Sequence, residues 1–259
     1  MKIALIGCGH MGSALAKHLA RSYKLTIYTR NKEKGRKIAA DLGVLWADSP
    51  SEAAKGADVV ILAVQPRDLT SLSSTLELTP DQIAISVLAG ISISRLQKCF
   101  PDALIVRMMP NLAITAKKGL IGLAEDGSLP EAEKVEIEKM FAGMGMMYWV
   151  LEKQMHAFSA LAASSPAFVF TVMESMIDAG IYLGFSSVLT EEIVLTVFEG
   201  CLTLLREKHG HPGDLKKQIM SPGGMTVAGL RALETGGIRK TFFDALDASC
   251  RRSVEMSQE

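Results

Sequence analysis

The stretch IALIGCGHMG, Ile3 to Gly12, decides the fold of the N-terminal half. A short apolar run leads directly into a GxGxxG motif, and Ser13–Leu19 then continues with helical spacing. This motif between a strand and a helix is typical of a dinucleotide-binding βαβ unit. Gly7 permits a tight turn, Gly9 lets a pyrophosphate approach the backbone, and Gly12 lets helix and strand pack closely. The cofactor-binding residues predicted in this motif are Gly7, Gly9, His10, Met11 and Gly12.

The end of the second predicted strand, Lys24–Tyr28, indicates the type of coenzyme. An NAD-preferring site usually has an acidic residue there, but this chain has none until Glu33. Arg30 can grip a 2′-phosphate through its planar guanidinium, and Thr29 and Asn31 can add neutral donors. We therefore expect NADP(H), with NAD(H) and a merely solvated basic turn as the alternatives.

Three apolar strands follow, Val59–Val64, Ile83–Val87 and Ile105–Met108, as expected for a parallel sheet covered on both faces. Ligands of open α/β sheets bind beyond the carboxyl ends of the strands. Residues at those ends are therefore expected to complete the cofactor site: Ala63, Val64, Gln65, Pro66, Ala89 and Asn111. Gly119–Ala124, a helix at 130–143 and Met147–Val150 are expected to finish the sheet.

The C-terminal half is predicted to be entirely helical. Residues 154–184 are apolar almost all round, and Thr190–Lys208 has apolar residues at helical spacing. A helix this apolar needs burial that one small domain cannot provide, which favours a homodimer. The fold class expected is α/β: a Rossmann-type dinucleotide-binding domain with a predominantly parallel sheet at 1–152, then an all-helical dimerisation and substrate domain at 153–259.

Composition limits the partners. The chain has 28 Lys and Arg and 28 Asp and Glu, which argues against nucleic-acid or membrane binding driven by net charge. We read no apolar run of transmembrane length and no cleavable signal, and so expect no membrane partner. Four widely spaced cysteines without a CxxC pair favour free thiols in the cytoplasm, and we expect no metal site.

The segment QIMSPGGMTVAGL, Gln218 to Leu230, interrupts the helical half. Ser-Pro starts a turn, and two glycines permit backbone angles that other residues avoid. Taken alone, it is most simply a connection in which Ser221 or Thr226 caps the next helix.

Several stretches resemble the pyrroline-5-carboxylate reductase family over nearly the whole chain. They are IALIGCGHMGSAL, ILAVQPRDL, SVLAGISI, RMMPNLA, SSPAFVFTVMESMIDAGI, MSPGGMTVAGLRALETGG and FFDALDASCRRS. The resemblance implies NADPH- or NADH-dependent reduction of 1-pyrroline-5-carboxylate to L-proline, the last step of proline biosynthesis. It also implies a homodimer, which can be part of a larger assembly such as a decamer.

The resemblance also implies roles for the diglycine segment. Ser221 and the backbone around Gly223, Gly224 and Met225 would hold the substrate carboxylate in an anion-binding concavity. Thr226 would orient the ring nitrogen or relay a proton to it. The segment can serve the cofactor of the partner subunit, and Glu152 matches a further substrate position. The expected catalytic residues are thus Thr226 and Ser221.

The sequence also departs from the family pattern. Gln65 stands where the family usually has Lys, His156 where an acid is usual, Ala163-Ser164-Ser165 where Gly-Ser-Gly is usual, and Met225 where Thr or Ala is usual. Two alternatives therefore remain: a reductase of another cyclic imine or amino acid, and a non-catalytic NADP-binding protein. The related 3-hydroxyacid dehydrogenases use a lysine on the first long helix of the second domain, and residues 155–184 contain none.

Overall fold

The computed structural model describes residues 1–208 and 210–258 and divides the chain into two compact units. The first contains residues 1–164 together with the residues from Ser249 onward, and the second contains residues 165–248. Residues 153–164 and the end of the chain pack within the first unit, whereas the expected domain boundary lies after Glu152. That boundary stays a prediction.

The described residues of the first unit form an eight-stranded sheet of order β3-β2-β1-β4-β5-β6-β7-β8. The strands are β1 Lys2–Ile6, β2 Lys24–Tyr28, β3 Leu45–Trp46, β4 Val59–Leu62, β5 Ile83–Ser86, β6 Leu104–Pro110, β7 Gly119–Ala124 and β8 Gly145–Trp149. All neighbours are parallel except β6 and β7. The predominantly parallel sheet is confirmed. The two-residue strand β3 was not predicted, because it is too short to show a periodic pattern.

The order of the sheet reverses between β1 and β4. Ile6 pairs with both Tyr28 and Leu62, so the carboxyl ends of β1, β2 and β4 lie level with one another. Backbone hydrogen bonds continue this register past the strands, from Gly7 N to Tyr28 O at 2.7 Å and from Ala63 N to Ile6 O at 2.8 Å. A switch point of this kind leaves a crevice at the carboxyl edge, where ligands of this fold bind.

Helices cover both faces of the sheet. They are α1 His10–Leu19, α2 Lys32–Leu42, α3 Pro50–Ala54, α4 Leu69–Ser73, α5 Ile93–Cys99, α6 Glu131–Phe141 and α7 Met155–Phe158. Alternate residues of β1 enter opposite cores: Ile3 and Leu5 pack on one face, and Ala4 and Ile6 on the other. The central strands are therefore buried on both sides, as their uninterrupted apolar sequences predicted.

A π-helical turn, Ser159–Ser164, joins α7 to α8, Ser165–Tyr182, so that residues 152–182 form one helical run. Its length and composition alone would suffice to cross a membrane, which makes the expectation of no such run wrong. The helix continues through Pro166 without a break. Proline lacks the N–H that would bond the carbonyl of Ala162, and the side chain of Asn111 donates to that oxygen at 3.0 Å.

The second unit is helical, as predicted. It holds α8, α9 Ser187–Lys208, α10 Pro212–Ile219, α11 Met225–Thr235 and the first half of α12 Ile238–Gln258. Helix α8 has no buried residue. Leu183, Val188 and Phe243 are each more than 70% exposed. A single chain thus leaves this apolar surface uncovered, which agrees with the expectation that it needs a second copy.

Candidate functional site

A pocket of about 600 Å³ lies at the carboxyl ends of β1, β2 and β4. We call it the coenzyme pocket. It brings together eight of the predicted cofactor residues: Gly7, Gly9, Thr29, Arg30, Asn31, Ala63, Val64 and Gln65. A second cavity of about 680 Å³ includes Asp58, Asp81 and Gln82, which precede β4 and β5. It opens at the amino ends of the strands and is rich in acids, so the coenzyme pocket is the better site for a phosphate ligand.

The glycine turn at the floor of the pocket has a shape that side chains could not adopt. Gly7 has φ 107°, and a Cβ there would lie 2.5 Å from the carbonyl oxygen of Ala63. A Cβ at Gly12 would lie 2.0 Å from the oxygen of Gly7. Both positions therefore require glycine for packing within the protein.

Gly9 is different, because a Cβ there would meet no atom within 4 Å. It is the N-cap of α1 and has no side chain that could cap the first N–H groups. The first N–H groups of a helix have no partner within the helix and carry partial positive charge, which suits a pyrophosphate. The turn therefore fits a dinucleotide.

Cys8, between these glycines, lines the pocket but is not a reactive thiol. Burial raises its pKa to about 11, with Lys34 acting in the opposite direction. The thiol stays protonated at neutral pH, so it cannot act as a nucleophile there. Among residues 1–208 and 210–258, no group of three His, Cys, Asp or Glu side chains is arranged to hold a metal ion.

The end of β2 presents a basic wall to the pocket. Asn31 caps α2 by accepting a hydrogen bond from Lys34 N at 2.9 Å, which fixes the start of that helix. Arg30 is exposed, and its Nη1 lies 3.1 Å from Oδ1 of Asp68. Lys34 and Asp68 both line the pocket, and sequence reasoning missed them. Lys34 could have been found from its place in the first turn of α2, whereas Asp68 lies 38 residues from Arg30 and had no local signal.

Six predicted cofactor residues do not line the pocket: His10, Met11, Gly12, Pro66, Ala89 and Asn111. Gly12 contributes packing, as described above. Asn111 is buried, and besides its bond to Ala162 it accepts from Leu120 N at 3.0 Å. The cofactor roles of these six residues stay predictions.

Glu152, a predicted substrate residue, takes part in a partly buried polar cluster. Its Oε1 accepts from the N–H of Ile93 at 2.6 Å, at the start of α5, and from Nη1 of Arg107 at 3.0 Å. The Arg107 side chain is 4% exposed. Burial lowers its pKa, and the hydrogen bond to Glu152 opposes that shift. A buried guanidinium needs such a partner, so Glu152 has a structural task whether or not it meets substrate.

His156 lies beside this cluster and links it to the end of the chain. Its Nδ1 is 2.9 Å from Oγ of Ser253 on α12. Burial lowers the pKa of His156, the charge of Arg107 lowers it further, and Glu152 acts in the opposite direction. Met256, at the same end of α12 as Ser253, lies against Gly90. The C-terminal residues therefore pack onto the loop that follows β5.

In the second unit, Ser221–Gly224 form a tight turn, which we call the diglycine turn. Gly224 N donates to Ser221 O at 3.0 Å, and Gly223 has φ 72°. A type II turn requires a positive φ at its third residue and commonly has proline at its second, as here. The N-cap of α11 is Gly224, without a side-chain hydrogen bond, so the reading in which Ser221 or Thr226 caps this helix is wrong.

The diglycine turn is open to solvent. Ser221, Gly223 and Thr226 are exposed, and Met225 is 93% exposed. The uncapped N-terminus of α11 therefore presents N–H groups next to two hydroxyls. This combination can bind a carboxylate.

Two family models match the chain. Residues 152–256 match pyrroline-5-carboxylate reductase dimerisation, and residues 2–90 match NADP oxidoreductase, coenzyme F420-dependent. The helical half thus carries a dimerisation region, and the coenzyme pocket lies within the part that matches the NADP oxidoreductase.

Relatives match along the full length. The chain is 32% identical to the pyrroline-5-carboxylate reductase of Aquifex aeolicus over 99% of this chain and 97% of that one. It is 33% identical to the Corynebacterium melassecola enzyme over 99% and 98%. The solved Streptococcus pyogenes 1-pyrroline-5-carboxylate reductase has a TM-score of 0.93 at 30% identity, with 98% of each chain covered. The Plasmodium falciparum pyrroline carboxylate reductase, solved with NADP bound, has a TM-score of 0.89 at 27% identity over 99% and 98%.

Proposed function

The chain belongs to the pyrroline-5-carboxylate reductase family, and from that premise we propose that it reduces 1-pyrroline-5-carboxylate to L-proline with NADPH. The observation that carries the proposal is the match to such reductases over the whole chain, which includes both the coenzyme pocket and the diglycine turn. The overall change adds one hydride to the imine carbon and one proton to the ring nitrogen.

NADPH, when bound, supplies the hydride. The N-terminus of α1 and Gly9 are suited to hold its pyrophosphate, and Arg30 and Lys34 are suited to pair with its 2′-phosphate. Thr29 can donate a hydrogen bond at the same wall. Ala63, Val64 and Gln65 continue that wall beyond β4.

The diglycine turn is suited to the substrate. The hydroxyl of Ser221 and the N–H groups at the start of α11 would hold the carboxylate of the ring. The hydroxyl of Thr226 would bond the ring nitrogen, holding it in place and supporting its protonated form. A protonated imine already accepts hydride well, so the protein contributes orientation and charge stabilisation rather than a covalent step.

The active enzyme is proposed to be a homodimer in which the diglycine turn of one subunit serves the coenzyme held by its partner. The exposed apolar side chains of α8, α9 and α12, and the match of 152–256 to a dimerisation region, support a second copy. Assemblies larger than the dimer, such as a decamer, belong to the same proposal. The cytoplasm is the proposed compartment, since the four cysteines are free thiols.

The test compares initial rates of NADPH and NADH oxidation with the five-membered imine and with its six-membered homologue. The proposal predicts the highest kcat/KM for the five-membered ring with NADPH. A higher value for the six-membered ring would favour another cyclic imine, for which the exposed Met225 in place of Thr or Ala is the relevant difference. Tight NADP+ binding without turnover of any imine would instead identify a non-catalytic NADP-binding protein.

A further inference from the structure

An ion pair joins two walls of the coenzyme pocket. Arg30 follows β2, and Asp68 ends the 3₁₀ turn Pro66–Asp68 that follows β4. Their Nη1 and Oδ1 atoms are 3.1 Å apart, with 73% of the Arg30 side chain and 21% of the Asp68 side chain exposed. Both residues line the pocket. The pair therefore occupies the place where the 2′ position of the adenosine ribose is expected.

The carboxylate of Asp68 has two effects on a ligand at that place. It already holds the guanidinium that a 2′-phosphate would use, so phosphate and carboxylate compete for Arg30. It also repels a phosphate directly, because both groups are negative. A free 2′-hydroxyl suffers neither effect and can donate a hydrogen bond to the carboxylate.

Asp68 thus supplies the acid that the end of β2 lacks. In dinucleotide folds, an acid that accepts from the ribose hydroxyls is the usual mark of NAD preference. Here the chain provides it from the next loop, directly beside an arginine suited to NADP. The pocket therefore contains one side chain suited to NADP(H), Arg30, and one suited to NAD(H), Asp68.

We propose that Asp68 is a specificity-determining residue that reduces the preference of this pocket for NADP(H) over NAD(H). The proposal rests on the proposed function only in assuming that the pocket binds nicotinamide coenzymes. Asp68 acts on the 2′ substituent and on Arg30, and it takes no part in the reduction of the imine.

The test is the Asp68→Asn variant of the full chain, titrated calorimetrically with NADP+ and NAD+ in the absence of imine. We expect the ratio Kd(NAD+)/Kd(NADP+) to rise about 3- to 10-fold, through tighter NADP+ binding and unchanged or weaker NAD+ binding. The matched control is Asp48→Asn. Asp48 pairs with Lys32 at 3.3 Å and Arg36 at 3.4 Å, but it does not line the pocket.

An unchanged ratio in Asp68→Asn, or an equal rise in Asp48→Asn, would overturn the proposal. The Arg30→Ala background tests the competition for Arg30, because Asp68→Asn should raise the ratio less there. An equal rise in both backgrounds would overturn that part of the argument. If Asp68→Asn raises the ratio but the protein reduces no imine, the proposed function fails while this inference stands. If imine turnover is present but the ratio does not change, the reverse holds.

Discussion

Two glycine-containing turns open helices in this chain, and they differ in what holds them in shape. The turn from Gly7 to Gly12 follows strand β1 directly. A Cβ added at Gly7 or at Gly12 would lie within 2.5 Å of a backbone oxygen. The diglycine turn is held by one backbone hydrogen bond of its own, and most of its residues are exposed. The first is packed in place by its own unit, whereas the second depends mainly on its local geometry.

The units that carry the two turns differ in the same way. The first unit buries its apolar strands on both faces, whereas helix α8 has no buried residue in the single chain. Coenzyme binding should therefore be a property of one chain, and imine reduction a property of the assembly. Variants of the two turns test this contrast.

Gly12→Ala should damage the first turn most. The new Cβ would lie 2.0 Å from the oxygen of Gly7, so backbone must move, and we expect the free energy of unfolding to fall by about 3 kcal/mol or more. Urea unfolding measures it. Gly9→Ala is the control: its Cβ meets no atom within 4 Å, so stability should change by about 1 kcal/mol or less while NADP+ binding weakens. Equal stabilities of the two variants would contradict the packing argument.

Thr226→Ala should lower the activity that depends on the diglycine turn without lowering the stability of the fold. We expect kcat/KM for the imine to fall, by an amount equivalent to about 1.5–3 kcal/mol of transition-state stabilisation, since the variant would lose the proposed hydrogen bond to the charged ring nitrogen. NADP+ affinity should stay unchanged. Thr226→Ser keeps the hydroxyl and should recover most of the rate. Turnover by Thr226→Ala at the wild-type rate would show that Thr226 is not a catalytic residue.

Gly223→Ala separates backbone strain from function in the same unit. Gly223 and Gly237 both have φ 72° and open space around an added Cβ. Alanine at either position should therefore cost about 1–2 kcal/mol of stability, the strain of a left-handed residue. Only Gly223→Ala should also lower kcat/KM, because it disturbs the predicted carboxylate site. Equal kinetic losses in the two variants would mean that the turn has only a structural role.

The smallest effect concerns the packing of the chain end within the first unit, through His156 and Ser253. Burial and Arg107 lower the pKa of His156 from its ordinary 6.5. The folded state therefore binds the proton less readily than the unfolded state, so stability is complete above pH 6.5 and falls as pH decreases below it.

Hydrogen exchange of residues 249–258, measured between pH 5 and 8, should show this loss of protection at low pH. The variant His156→Gln should show a weaker dependence. Protection that rises toward low pH would contradict the argument, and so would an identical pH profile in the variant.

The sequence predicted the features that depend on neighbouring residues. Strand β1, the glycine turn and helix α1 follow from local steric requirements, since only glycine fits where a Cβ would meet backbone. The apolar strands predicted a sheet buried on both faces, and the apolar helices predicted a surface that one chain cannot cover. The family resemblance, carried by the motifs, was confirmed by relatives that match the full length.

Tertiary structure decided the features that join distant parts of the chain. The pairing of Arg30 with Asp68, the packing of the residues after Ser249 within the first unit, and the hydrogen bond from Asn111 to Ala162 each span many residues. Local patterns determine which conformation a segment prefers and which face it buries. Which two side chains then meet depends on how the segments pack, and that information lies in no single stretch of the sequence.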